Sequence, residues 1–98
     1  MKTKYLVPVS DFCTHHEIEI SFINSLQSNG LISVECIDNS KFIHTDQVLK
    51  LEQYIHFHYD LDINIEGIET VSHLLNQIEL LQQNIQMLQN QLLLYDVN

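Results

Sequence analysis

Soft and borderline metal ligands are the first candidates for chemistry in this chain. Cys13, His15 and His16 are close together, and Cys36, His44, His56 and His58 follow. A zinc site needs four such donors in a tetrahedron, and the usual sequence sign is a Cys-x-x-Cys or His-x-x-x-His pair. Neither pair occurs here. His56 and His58 are two residues apart, which on a helix puts them on different faces. Cys13, beside Phe12, reads as a small core residue. The carboxylate pairs Asp60/Asp62 and Glu66/Glu69 read as solvated acids at a helix entry, where each is worth a few tenths of a kcal/mol. There is no glycine-rich phosphate loop and no nucleophile elbow. The expectation is a non-enzymatic protein without metal or cofactor.

What remains is charge and apolar patterning. Thirteen acids face four lysines, with no arginine, for a net charge of −9. Residues 1–50 carry four lysines and six acids (4 − 6 = −2), and residues 51–98 carry seven acids and no lysine (−7). Such a surface repels phosphate backbones and anionic lipid and suits a basic protein partner. Two cysteines are too few for a disulfide framework, and neither a signal peptide nor a run of about 18 apolar residues is present. Reduced thiols and a cytoplasmic location are the simplest reading.

The elements that must carry these residues follow from periodicity and breakers. With 45% apolar residues, two glycines and one proline, the chain should form few, long elements around one small core. Tyr5–Val9 reads as a short strand or extended lead-in. Ser10 should cap a first helix, Ser10–His16, and a second should run Glu19–Asn29 and stop at Gly30. The three-residue connection makes this a helix-turn-helix. Leu31–Ile37 and Lys41–His44 flank Asp38-Asn39-Ser40 as a hairpin, or wing. Thr45-Asp46 should cap a helix over Asp46–Tyr59 with Val48, Leu51, Ile55 and Tyr59 on one face. Leu61, Ile63 and Ile65 should seal the core. Asn64 should cap a last helix from about Ile65 to Tyr95, dividing the chain into a head (1–63) and a long helix (64–98).

The long helix has the clearest pattern. Val71, Leu74, Ile78, Leu81, Ile85, Leu88, Leu92 and Tyr95 are spaced 3-4-3-4-3-4-3. Val71, Ile78, Ile85 and Leu92 take heptad position a, and Leu74, Leu81, Leu88 and Tyr95 take d. β-Branched a with Leu d favours two strands in parallel coils. Positions e and g carry no charge, so direction is left open. Eight such side chains would contribute on the order of 1.5–3 kcal/mol each on burial, before ordering costs. A homodimer through residues 65–95 is expected. Leu80, Met87 and Leu94 form a second column at c and should meet a further surface.

A short helix-turn-helix, a small hairpin, a helix and a long pairing helix, in that order, resemble the MerR-like winged-helix proteins. The chain is more narrowly similar to the CbpM-type chaperone modulatory family. This closer likeness rests on Val9-Ser10-Asp11-Phe12-Cys13, Leu31-Ile32 after the turn, Tyr59-Asp60-Leu61 through Gly67-Ile68, and the Leu/Gln/Asn-rich tail. The tail departs from many relatives in lacking basic residues. The resemblance implies a mainly α, MerR-like winged helix-turn-helix followed by a dimerisation helix. It also implies a function: binding the J-domain of a DnaJ-like co-chaperone and blocking its action on Hsp70. The chain has no His-Pro-Asp tripeptide and is not itself a J-protein.

J-domains use a basic helical face, which an acidic binder could occupy. The partner-binding candidates are therefore the acids around the helix-turn-helix and wing: Asp11, Glu17, Glu19, Glu35 and Asp38. A second set, Asp60, Asp62, Glu66 and Glu69, lies where the long helix begins. The alternative is a diverged DNA-binding transcription regulator. Against it, the recognition helix has no Lys or Arg and the wing has only Lys41, whereas DNA readers need phosphate anchors and commonly an arginine on guanine.

Overall fold

The computed structural model describes residues 5–97, so Lys2 and Lys4 lie outside it. The elements run β1 (Leu6–Pro8), α1 (Val9–His16), α2 (Ile20–Ser28), β2 (Glu35–Ile37), β3 (Ser40–His44), α3 (Val48–Ile55) and α4 (Ile65–Val97). The three strands form one antiparallel sheet in the order β1-β3-β2. The lead-in is thus a true edge strand, with Leu6 opposite His44 and Pro8 opposite Phe42. An edge tolerates Pro8, which has no N–H to donate. The wing turns through Asp38 and Asn39, both left-handed at φ 52° and 65°. Ile37 pairs with Ser40 across it, the two-residue hairpin that Asx residues favour. Strand pairing in β2 covers only its last three expected residues; before it, Ile32 enters the core and Leu31 packs against it.

Both helices of the helix-turn-helix end in the same way. After α2, the Gly30 N–H bonds the Gln27 carbonyl at 3.0 Å and the Leu31 N–H bonds that of Leu26 at 2.9 Å, with Gly30 at φ 73°. After α1, the Glu17 N–H bonds the Thr14 carbonyl and the Ile18 N–H bonds that of Cys13, with Glu17 at φ 56°. These paired bonds satisfy the orphan carbonyls of a helix end. They also turn Ile18 and Leu31 back towards the core.

The expected caps are corrected at two of three places. Helix α1 begins at Val9 behind Pro8, and Ser10 lies inside it, its carbonyl accepting from Thr14 Oγ1 at 2.9 Å. Proline at φ −59° delivers the chain in the extended state a helix entry needs, without a side-chain cap. At the third helix, residues Thr45–Gln47 form a 3₁₀ turn with no side-chain cap. There the Gln47 amide instead grips the Ser33 backbone in both directions, at 2.9 and 2.8 Å. Asn64 caps α4 as expected, its Oδ1 accepting from the Gly67 N–H at 2.7 Å.

The core is Val9, Phe12, Cys13, Phe22, Ile23, Leu26, Ile32, Ile43, Leu51, Tyr54 and Ile68. The third helix is not one α-helix to Tyr59: after Ile55 it widens into a π-helical turn over His56–Asp60. The Leu61 N–H reaches the His56 carbonyl at 3.2 Å, and the Ile63 N–H reaches that of Phe57 at 2.9 Å. The extra residue in this turn rotates Tyr59 off the apolar face, which is why Tyr59 is partly exposed and Leu61 lies in solvent rather than sealing the core. Tyr54 and Ile68 take the interior places. The Tyr54 hydroxyl donates to the Leu31 carbonyl at 3.4 Å and pairs with Ser72 Oγ at 3.3 Å. This joins the end of the helix-turn-helix, α3 and α4.

Only the first turns of α4 belong to that core. Beyond Ser72 the helix is exposed on all sides through Tyr95. The chain measures 60 × 37 × 21 Å, with a radius of gyration of 18.0 Å. A compact chain of this length would have about 13 Å. The long helix stands out from the head as a stalk.

Candidate functional site

The turn of the helix-turn-helix is fastened to the π-helical turn by its own backbone. The Glu19 N–H donates to the Tyr59 hydroxyl at 3.3 Å. The Tyr59 ring meets Phe22 edge-on, with centroids 5.3 Å apart, and His58 stacks on Phe22 at 4.7 Å. His58 is held in turn by its Nδ1 to the Ile63 carbonyl at 2.9 Å. A shallow cleft of about 150 Å³ lies between these elements, lined by Glu19, Phe22, Ser25, His58, Tyr59 and Ile65.

This packing brings Glu19, from the first acidic set, against the turn that leads into the second. Glu19 from the first borders the cleft, and Glu17 precedes it in the same turn. Asp60 follows the cleft residue Tyr59 and pairs with His56 Nδ1 at 2.8 Å. Asp62 follows in a left-handed conformation, and Glu66 adjoins the cleft residue Ile65. All five acids are exposed. The partly exposed Tyr59 therefore borders the cleft together with Glu19. Sequence reasoning placed Tyr59 in the core because α-helical spacing carried it onto the apolar face.

The remaining candidates lie elsewhere on the head. Asp11 is exposed in the first turn of α1, and Asp38 is exposed at the hairpin tip. Glu35 is half-buried and faces His44 across the sheet at 3.3 Å, beside a cavity of about 530 Å³ that Tyr5 and Asp46 also line.

The histidines have structural partners. His16 stacks on Phe12 at 4.1 Å, bonds the Phe12 carbonyl through Nδ1 and faces Glu52 through Nε2. Among the described residues no three His, Cys, Asp or Glu side chains converge as a metal site. Cys13 is buried and Cys36 exposed; burial pushes the Cys13 thiol above its ordinary pKa. Among the described residues no helix is long and apolar enough to cross a membrane.

The face that a helix-turn-helix would offer to a nucleic acid is α2. Its exposed residues are Ile20, Ser21, Asn24, Gln27 and Ser28. Lys41 of the wing reaches across to Asn24 Oδ1 at 3.4 Å. Along the stalk, Leu74, Ile78, Leu81, Ile85, Leu88, Leu92 and Tyr95 are all at least half exposed, and Val71, nearest the head, is half-buried.

A helix-turn-helix, a three-stranded sheet with a wing and a long exposed helix with an apolar seam define a winged helix-turn-helix protein. Comparison with known families agrees: residues 7–90 match the MerR HTH family regulatory proteins, and the chain belongs to that family. The match takes in the head and most of the stalk. No curated protein and no solved structure matches the chain.

Proposed function

We propose that this chain is a homodimeric regulator that acts by protein contact, binding the basic helical face of the J-domain of a DnaJ-like co-chaperone and keeping it from Hsp70. One observation carries the reading. The cleft between α2 and the π-helical turn sets Glu19 beside an accessible tyrosine, the exposed acids Glu17, Asp60 and Asp62 lie within three residues of these two in sequence, and α2 contains no cation. Tyrosine is among the residues most enriched in protein-binding hot spots, and acidic steering raises association with a basic partner. The same charges oppose a phosphate backbone. The stalk seam supports the dimer, since seven large apolar side chains at a and d stand in water in one copy.

Titration calorimetry with a purified J-domain is the test. Reversal of Glu17 and Glu19 to Lys should weaken binding at least tenfold and steepen no salt dependence, while leaving the sedimentation mass unchanged. Equal affinity for the reversed protein would remove this face. A gel shift with duplex DNA at low salt probes the other reading: a sequence-specific complex that survives about 0.15 M salt would make the chain a DNA-binding regulator instead.

A further inference from the structure

The stalk carries more apolar surface than one partner helix can cover. In addition to the a/d seam, Leu80 and Met87 at position c are 60% and 54% exposed, and Leu94 continues their column at 71%. At about 100° per residue, c lies about 100° from d and about 160° from a. A two-helix seam uses the arc of about 60° between a and d. The column runs about 21 Å along the helix axis. Pairing through a and d therefore leaves a second apolar strip on the flank of the pair.

The charge pattern favours one kind of cover over another. Over residues 70–95 the only acid is Glu79, and there is no lysine or arginine, although the chain as a whole holds thirteen acids. The g positions between c and d are Gln77, Asn84 and Gln91. A strip bordered by amides has nothing to attract a basic protein, and nothing to repel another copy of itself. The acidic head, by contrast, resists head-to-head packing. A helix with a second apolar strip off its pairing seam buries that strip against a further helix, as in bundles of more than two.

We propose that two homodimers associate through the Leu80–Met87 strips, so that four stalks form one bundle with the acidic heads held outside it. The inference rests on the stalk pairing put forward above and adds a second, separable interface. In such a bundle a and d hold each pair together and c joins the pairs. Each assembly then presents four copies of the acidic face, so a co-chaperone with several J-domains would be held by avidity.

Sedimentation equilibrium of the full chain between about 5 and 200 µM distinguishes the two interfaces. The wild type should reach the mass of four chains. The double variant Leu80→Gln with Met87→Gln should stop at two, with its helical circular dichroism intact, because glutamine is a good helix former that already occupies neighbouring positions. Leu81→Glu, at d, should fall to one chain. A wild type of two chains at the highest concentration would overturn the four-stalk bundle and leave the dimer standing. A wild type of one chain would overturn both. Four chains in the double variant would show that c is not the second interface.

Discussion

The backbone N–H of Glu19 and the hydroxyl of Tyr59 meet at 3.3 Å across forty residues of sequence, tying the turn of the helix-turn-helix to the entry of the stalk. The bond matters because Glu19 stands just before the first turn of α2, where a helix has N–H groups without partners. Tyr59 acts as an external cap, and the π-helical turn is what carries it there. Replacing Tyr59 by Phe should cost about 0.5–1.5 kcal/mol, towards the lower end because water can reach the freed N–H. Tyr59→Ala should in addition uncover Phe22 and weaken J-domain binding by roughly tenfold, the scale of a lost aromatic anchor. Urea unfolding and calorimetry on the two variants separate these effects. Phe should keep most of the affinity, and equal affinity for all three proteins would show that Tyr59 serves the fold alone.

Gly67 is needed for a different reason. It has an ordinary helical conformation, yet a Cβ there would lie 2.6 Å from Ile63 Cγ2 and 3.0 Å from the capping Asn64 Oδ1. Alanine is normally the better helix residue by about 1 kcal/mol. Here the clash should outweigh that gain, because Ile63 packs on the core and cannot simply turn away. Gly67→Ala should lower stability by about 1–2 kcal/mol, the usual range for overpacking. The midpoint of urea unfolding measures it, and an unchanged or higher midpoint would mean that Ile63 moves freely.

How much of this was legible in the sequence depended on whether a feature is local. The helix-turn-helix, the wing turn at Asp38-Asn39, the Asn64 cap and the stalk heptads all follow from side-chain spacing and turn chemistry within a few residues. The edge strand β1 was half visible, since its pairing with β3 is a long-range choice. The π-helical turn was not visible at all. Extrapolating α-helical spacing through it put Tyr59 inside and missed Tyr54, although Tyr54 lies three residues after Leu51 on the same face. The approach of Glu19 to Tyr59 was lost for the same reason: the two are forty residues apart in sequence and meet only in the fold.

Glu17 shows backbone strain at a candidate contact residue. It ends α1 at φ 56°, a left-handed conformation that costs a residue with a Cβ about 1 kcal/mol and costs glycine nothing. Glu17→Gly should therefore raise stability by about 0.5 kcal/mol, the strain relief being partly offset by the greater freedom of glycine in the unfolded chain. The same variant removes one carboxylate from the acidic face. If Glu17 helps hold a basic partner, the protein should become more stable and bind the J-domain less tightly. A gain in both would assign Glu17 to the turn only.

The cysteines give a pH-dependent reading of the core. Burial raises the Cys13 thiol pKa, so the folded state disfavours its thiolate more than the unfolded state does. The sign follows by linkage. Below the unfolded value of about 8.5 both states hold the proton and stability is unaffected; as pH rises past it the unfolded chain ionises first and stability falls, up to the folded pKa. The wild type should therefore lose stability as pH rises above about 8.5, in excess of a Cys13→Ala variant, even though the alanine variant starts lower because the sulfur leaves a small void. Thiol titration at pH 8 gives the companion measurement. The exposed Cys36 should react at once and the buried Cys13 only as fast as the head opens, so denaturant should accelerate the second phase alone. Two thiols reacting together in the native protein would mean that the packing of Cys13 beneath α1 is far looser than its burial implies.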